Sequence, residues 1–516
     1  MKTLKLNFHF PAFLRSYCLT VLPSYRHFFL PSYRLIVLSL LLSNGIYAQN
    51  EANIWYFPQL CGLDFNSGEP VVLDDSQVLN GHIGSTICDS SGNYLFSADN
   101  ENIFTSYGIM PNGTEMLRPG LSGAAIVEWP GRAGIYYYIT AMESGWPQYG
   151  LYYSIIDINQ GLGGVVLDKN IEIDAGWDVS DRVAIVRKEN SDAVWVITRK
   201  YIEDAYAAFL VDHNGLNPNP VISVMPDREN HWGYIKISSD KRYLVSSYHQ
   251  NIEICGFNAL NGEVSCLYTM KGPVEELNEA AEGLEFSPDS KYLYISYFTN
   301  FDTTVLYQYD MQYVTDSAEF INSALKIYHN ANLHSMQLAR DGKIYCGPKE
   351  EPGPNADQTY LSVIHKPWIR GTGCMYEENA VSIYPNECVY SFINILVDYL
   401  FRFEWIGETC QGYPIQFKPN FIPTPQTIQW NFDDGPGSSS WQLSPTYTFK
   451  NPGVHEVKVD VWYPSGRYEH TSREIEISPS PLPLLGNDTL ICNGSTITLN
   501  ANCDADFFSW STGQFG

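Results

Sequence analysis

Across residues 52–400, short apolar runs alternate with polar turns, and one arrangement keeps returning: an apolar strand, a turn of Ser, Asp, Gly or Lys, then a strand rich in Tyr, Leu and Ile. The clearest copies fall at 87–96, 237–245, 286–294 and 338–345, with weaker ones at 130–138 and 190–197. Asp240, Asp289 and Asp341 mark equivalent turn positions 49 and 52 residues apart. Strand pairs recurring every 40 to 50 residues or so are the sequence form of propeller blades, each a small sheet that buries its faces only by stacking on its neighbours. The pattern predicts an all-β chain with a seven-bladed β-propeller over residues 52–400. Six blades follow from the copies. The seventh is assembled from 360–365 together with 54–57 and 63–65, closing the ring with both ends of the repeat region.

After Phe403 the repeat stops. The run from Val454 to Val461 alternates strictly, putting Val457, Val459 and Val461 on one face, as a half-buried sandwich strand requires. With Pro452-Gly453 as its turn, this predicts a β-sandwich over 404–479. Pro479, Pro481 and Pro483 form a stiff spacer, and 482–516 reads as the start of a second immunoglobulin-like β domain with too few strands to complete it, hence as a truncated one.

Residues 1–48 carry five basic and no acidic residues, the apolar run 35–42 and a small-residue site before Gln49, which reads as a secretory signal peptide. The apolar run is shorter than the roughly 20 residues needed to cross a bilayer, so no transmembrane helix is expected after cleavage. Without that segment 26 basic residues face 57 acidic ones, a net charge of −31. Such a surface argues against nucleic-acid phosphate as a partner. Ten cysteines remain. In an exported chain an even number reads as disulfides, with Cys255–Cys266 flanking a turn sequence and Cys492–Cys503 as a second candidate. No pair stands at C-x2-C spacing, which removes the usual zinc reading.

Trp430 to Val461 resembles a polycystic-kidney-disease-type (PKD) domain: Trp430, Phe432, Asp434 and Gly435, then Pro445, Tyr447 and Phe449, then Pro452, Gly453, Val457, Val459 and Val461 follow its order. Asp433, Tyr447, Phe449 and His455 stand where the pattern has Gly, His, Tyr and Tyr. Upstream, Trp55-Tyr56-Phe57, 62–68, 110–114, 135–138, 283–288 and 307–310 are similar to the propeller of exported gliding-motility-associated proteins of Bacteroidota, cargo of type IX secretion. The resemblance implies a secreted or cell-surface protein with adhesive or binding roles. It supplies no catalytic residues.

Motif chemistry is sparse. There is neither a G-x-S-x-G elbow nor an H-E-x-x-H pair, and His329 and His334 lie five apart in a loop-like stretch. Asp240, Asp289 and Asp341, or Asp433 and Asp434, offer oxygen ligands for calcium, yet an Asp in a tight turn ordinarily bonds its own backbone. No other cofactor is expected. Trp146, Trp177, Trp232 and Trp368 fall outside the clearest strands and are candidates for an exposed aromatic platform on which sugar rings stack, against the alternative that they pack blades. The reading is a non-enzymatic, exported binding or adhesion protein with glycans or extracellular proteins as partners. The alternatives are a polysaccharide lyase or glycoside hydrolase that gathers carboxylates in the propeller funnel, and a structural envelope component.

Overall fold

The computed structural model describes residues 50–480 apart from 68–69, 80–82, 121, 143–149, 174–178, 190, 201–203, 227–232, 249–250, 274–280, 301–302, 332, 349–357, 389–391, 401–402, 420, 422–424 and 463–467. Seven antiparallel sheets succeed one another: blade 1 (54–73, three strands), blade 2 (85–114), blade 3 (124–172), blade 4 (179–224), blade 5 (235–271), blade 6 (281–331) and blade 7 (336–382). From blade 1 to blade 7, the first strand of each blade packs against the first strand of the next, so these strands line the axis. The second strand of blade 3 also packs against the first strand of blade 4. This strand, Ile135–Met142, is therefore buried almost throughout, whereas the outermost strand of blade 5, Glu263–Lys271, alternates between buried and exposed.

The blade number agrees with the repeat, but the closing blade differs from the expected one. Residues 54–65 pair within their own three-stranded sheet, and Tyr360–Ile364 is the third strand of a complete blade 7. Among the described residues no strand is shared between the ends of the ring. The seam closes through side chains instead: Trp55 and Phe65 of blade 1 sit edge-on to Tyr345 of blade 7 at 5.9 and 5.3 Å, inside one apolar cluster. The sequence pattern reports the repeat unit and is blind to whether a seam is sealed by backbone or by aromatic packing.

The recurring turns join first to second strands. In blade 5, Ser238 Oγ donates to Asp240 Oδ1 at 2.6 Å and accepts from Tyr243 N at 3.0 Å. Blade 6 repeats the arrangement with Ser287, Asp289 and Tyr292. The last turn residue is left-handed in every clear copy: Gly92, Lys241, Ser290 and Gly342 have φ of 86°, 60°, 58° and 80°. That explains why glycine stands there in two of the four.

Residues 403–477 form a β-sandwich of a three-stranded and a four-stranded sheet. Its core holds Phe417, Trp430, Phe432, Phe449, Val457, Val459 and Val461, each fully buried. The valine face expected from alternation is the face that packs inward. Residues 482–516 lie outside the described residues.

Candidate functional site

The axis of a propeller is where side chains from all blades converge, and here the protein's own chain occupies it. Residues 392–400 leave blade 7 and run beside the first strand of blade 4, Val179–Arg187. Asn394 Nδ2 donates to the Val183 carbonyl, and four residues on Arg187 N donates to Asp398 Oδ2 at 3.3 Å. Phe392 packs on Phe57 and Trp55 at 5.2 and 5.9 Å, and Ile393, Leu396, Tyr399 and Leu400 are buried. The Asp398 side chain is fully buried and ion-paired with Lys241 from the blade 5 turn. Burial works against the Arg187 guanidinium, yet the Asp398 carboxylate together with Tyr399 and Glu51 more than reverses this and holds its pKa above the ordinary value. Two cavities beside this segment have volumes of about 30 and 20 Å³, room for a water or two. Lys236, facing the first of them, donates to Glu285 Oε2 at 2.8 Å and Gln337 Oε1 at 2.7 Å. Among the described residues, the funnel that the lyase or hydrolase alternative would use is thus occupied by the chain itself.

The chain emerges at Leu400 on the side of the ring where the recurring turns lie, and the sandwich begins at Phe403. Three polar contacts tie the two together: Arg473 Nη2 donates to the Pro288 carbonyl, Lys366 pairs with Glu476 and Lys291 with Glu408, each at 3.3 Å. Between them lies a cleft of about 780 Å³. Trp368 is on its propeller wall, half-buried, in the connection between the third and fourth strands of blade 7. That connection is fixed by Lys366 N to the Cys374 carbonyl at 2.9 Å and by Tyr294 OH to the Pro367 carbonyl at 2.9 Å. Trp405 is on the sandwich wall with the Arg473 guanidinium 4.2 Å above its ring. The indole N–H of each tryptophan is buried without an acceptor. An orphaned donor of this kind costs about 1–3 kcal/mol.

Polar groups complete the lining. His365 Nε2 and Glu377 Oε2 are 2.8 Å apart. Burial raises the carboxyl pKa of Asp289 and Asp341, with Lys291 and Lys343 offsetting part of it. Asp341 Oδ2 accepts from Tyr345 OH at 2.8 Å, and its Oδ1 from Lys343 N at 3.1 Å. These carboxyls serve their own turns, as does Asp240, which accepts from Arg242 N at 3.1 Å. A cleft with two indole walls, a guanidinium and hydrogen-bonding groups suits a polar ligand with flat apolar faces.

Of the four candidate tryptophans, Trp368 alone is described; Trp146, Trp177 and Trp232 lie outside the described residues, as do Cys492 and Cys503. Cys255 and Cys266 are direct cross-strand partners in blade 5, and the hydrogen bond between them heads the causes that raise the Cys255 thiol well above its ordinary pKa. Among the described residues no group of three or more His, Cys, Asp or Glu is placed to hold a metal ion. His334 is buried against Tyr234, whose OH lies 2.9 Å from its Nδ1. Asp434 accepts from Tyr447 OH, Lys450 N, Asn451 N and Asn451 Nδ2 at 2.8–3.2 Å, so it binds the neighbouring turn rather than standing open for calcium. Trp405 and Arg473 were missed: each lies on an ordinary sandwich strand, and only the docking of the sandwich onto the ring gives them a role. No helix among the described residues is long and apolar enough to cross a membrane.

No family model and no curated protein matches the chain. Solved structures similar to it include a protein from Lactobacillus plantarum (12% identity, 66% of this chain, 98% of that one, TM-score 0.41) and the periplasmic gluconolactonase of Pseudomonas aeruginosa (11%, 67% and 97%, 0.33). An exo-β-1,3-galactanase from Phanerochaete chrysosporium is similar at 10% identity, over 73% of this chain and 92% of that one, with a TM-score of 0.31. At these values no activity carries across.

Proposed function

We propose that this chain is an exported, non-catalytic recognition protein that holds glycan in the cleft between its propeller and its sandwich. The observation that carries the reading is residues 392–400 along the ring axis, with the cleft of about 780 Å³ beside Trp368 and Trp405 as a roomy concave surface at the exit side. Signal-like residues 1–48, the strongly acidic composition and the resemblance to gliding-motility-associated proteins with a PKD-type spacer support export and surface display. In this reading the segment 392–400 has a mechanical part: it passes through the disc and delivers the sandwich to the opposite side from which it enters.

The test is a glycan array probed with the chain from residue 49 onward, alongside Trp368→Ala. Binding that weakens about tenfold or more in the variant is the expected result. Release of sugar from the same samples would favour the hydrolase or lyase reading, and absence of any glycan binding a protein-protein or structural role.

A further inference from the structure

The four-stranded sheet of the sandwich turns its outer face away from the core, and two tryptophans lie together on it. Trp441 is 60% exposed, and its ring lies 19° from parallel to that of Trp462 with centroids 6.2 Å apart. An exposed tryptophan in a loop ordinarily moves, but this one is held from both sides. Before it, Ser439 and Ser440 pair with Asn431 and Trp430. After it, the Gln442 carbonyl accepts from Nε1 of Trp430, the fully buried tryptophan of the sandwich core, at 3.0 Å, and Gln442 N donates to Ser440 Oγ at 3.2 Å. Trp462 is fixed by its strand and by Gln426 N donating to its carbonyl at 2.8 Å. Trp441 is thus presented to solvent with the half-buried Trp462 stacked beside it on a preformed frame, which removes most of the ordering cost of binding.

The surroundings indicate what fits. On the same face Thr427 stands directly across from Trp462, and two residues along, about 7 Å away, Gln429 stands across from Asp460. An apolar platform with a hydroxyl beside it and an amide and a carboxylate one step further matches a chain of pyranose rings: one ring lays its C–H face on the indoles while the hydroxyls of the next reach the polar pair. The excess of 57 acidic over 31 basic residues disfavours anionic polymers. We infer that the outer face of the sandwich, centred on Trp441 and Trp462, is a second binding surface, for neutral unbranched polysaccharide and independent of the cleft at Trp368.

The experiment is co-sedimentation of the chain from residue 49 onward with microcrystalline cellulose and with insoluble β-mannan, together with Trp441→Ala, Trp441→Phe, Trp462→Ala and Trp368→Ala. Retention on at least one matrix is expected, weakened about tenfold in Trp441→Ala, partly kept in Trp441→Phe and weakened in Trp462→Ala, and Trp441→Ala should weaken it by a similar factor in a Trp368→Ala background. Trp441 is mostly exposed, so its variants should melt with the parent. Retention on neither matrix, or retention indifferent to Trp441→Ala, overturns the inference. Loss in Trp368→Ala alone also overturns it while leaving the cleft reading intact.

Discussion

Asp398 is the charged residue on which the axial segment depends, and its removal gives the sharpest energetic test of that segment. Its carboxylate is fully buried, ion-paired with Lys241, whose side chain is 18% exposed, and it accepts from Arg187 N. Two opposite charges about 4 Å apart near a protein surface attract by about 4 kcal/mol, and the cost of having desolvated both cancels much of that in the intact protein. Removing one partner alone leaves the cation buried and uncompensated, which costs about 3–5 kcal/mol. For roughly 350 residues unfolding together the unfolding entropy is about 0.7 kcal/mol/K, so Asp398→Ala should lower Tm by about 4–7 °C. Lys241→Met added to Asp398→Leu should recover part of the loss, because it removes one stranded charge while the buried Arg187 guanidinium remains. Scanning calorimetry on the single and double variants reads both. A shift under about 1 °C for Asp398→Ala, or additive losses in the double variant, would refute the placement of 392–400 along the axis.

Three further outcomes follow from the same contacts. Oxidised protein should yield a peptide linking Cys255 to Cys266 by mass spectrometry, and reduction should cost about 3 kcal/mol for a closed loop of about a dozen residues; two free thiols in material purified without reductant would count against it. Trp430→Ala should destabilise the sandwich by about 3–5 kcal/mol, read by loss of its unfolding transition, because removing a fully buried indole leaves a cavity and breaks its hydrogen bond to the Gln442 carbonyl. Burial pushes the Asp434 carboxyl up, but the donors from Lys450, Asn451 and Tyr447 outweigh it and leave its pKa below the ordinary carboxylate value. Its stabilising contribution is therefore present above about pH 4 and is lost as pH falls through the lower folded-state value, so acid titration of Asp434→Asn should show a flatter stability profile than the parent; an unchanged profile would contradict this.

The all-β class, the blade number and the inward valine face were legible because each rests on local periodicity: strand pairs and their turns repeat, and alternation marks a half-buried strand. The turn chemistry was legible for the same reason, since Asp240, Asp289 and Asp341 bond backbone within a few residues of themselves. Illegible parts depend on distant pairings. Residues 392–400 read simply as the tail of the repeat, although Asp398 meets Lys241 and Arg187 about 160 and 210 positions upstream. Trp368 was singled out as a surface aromatic and does line a cleft, but its opposite wall, Trp405 and Arg473, comes from another fold unit. Trp441 carries no such signal because its neighbours resemble a plain sandwich loop, and only the hydrogen bond from Trp430 to the next residue's carbonyl reveals that it is held in place.

The central claim is that recognition occurs in the cleft between ring and sandwich, and that bound glycan is held rather than cut. It is tested most directly by incubating the chain from residue 49 onward, and Trp368→Ala, with arrayed oligosaccharides while measuring retained ligand and newly released reducing ends together. The account predicts retention that falls about tenfold in the variant, with no release in either. Reducing ends released by the parent, or retention indifferent to Trp368, would contradict it.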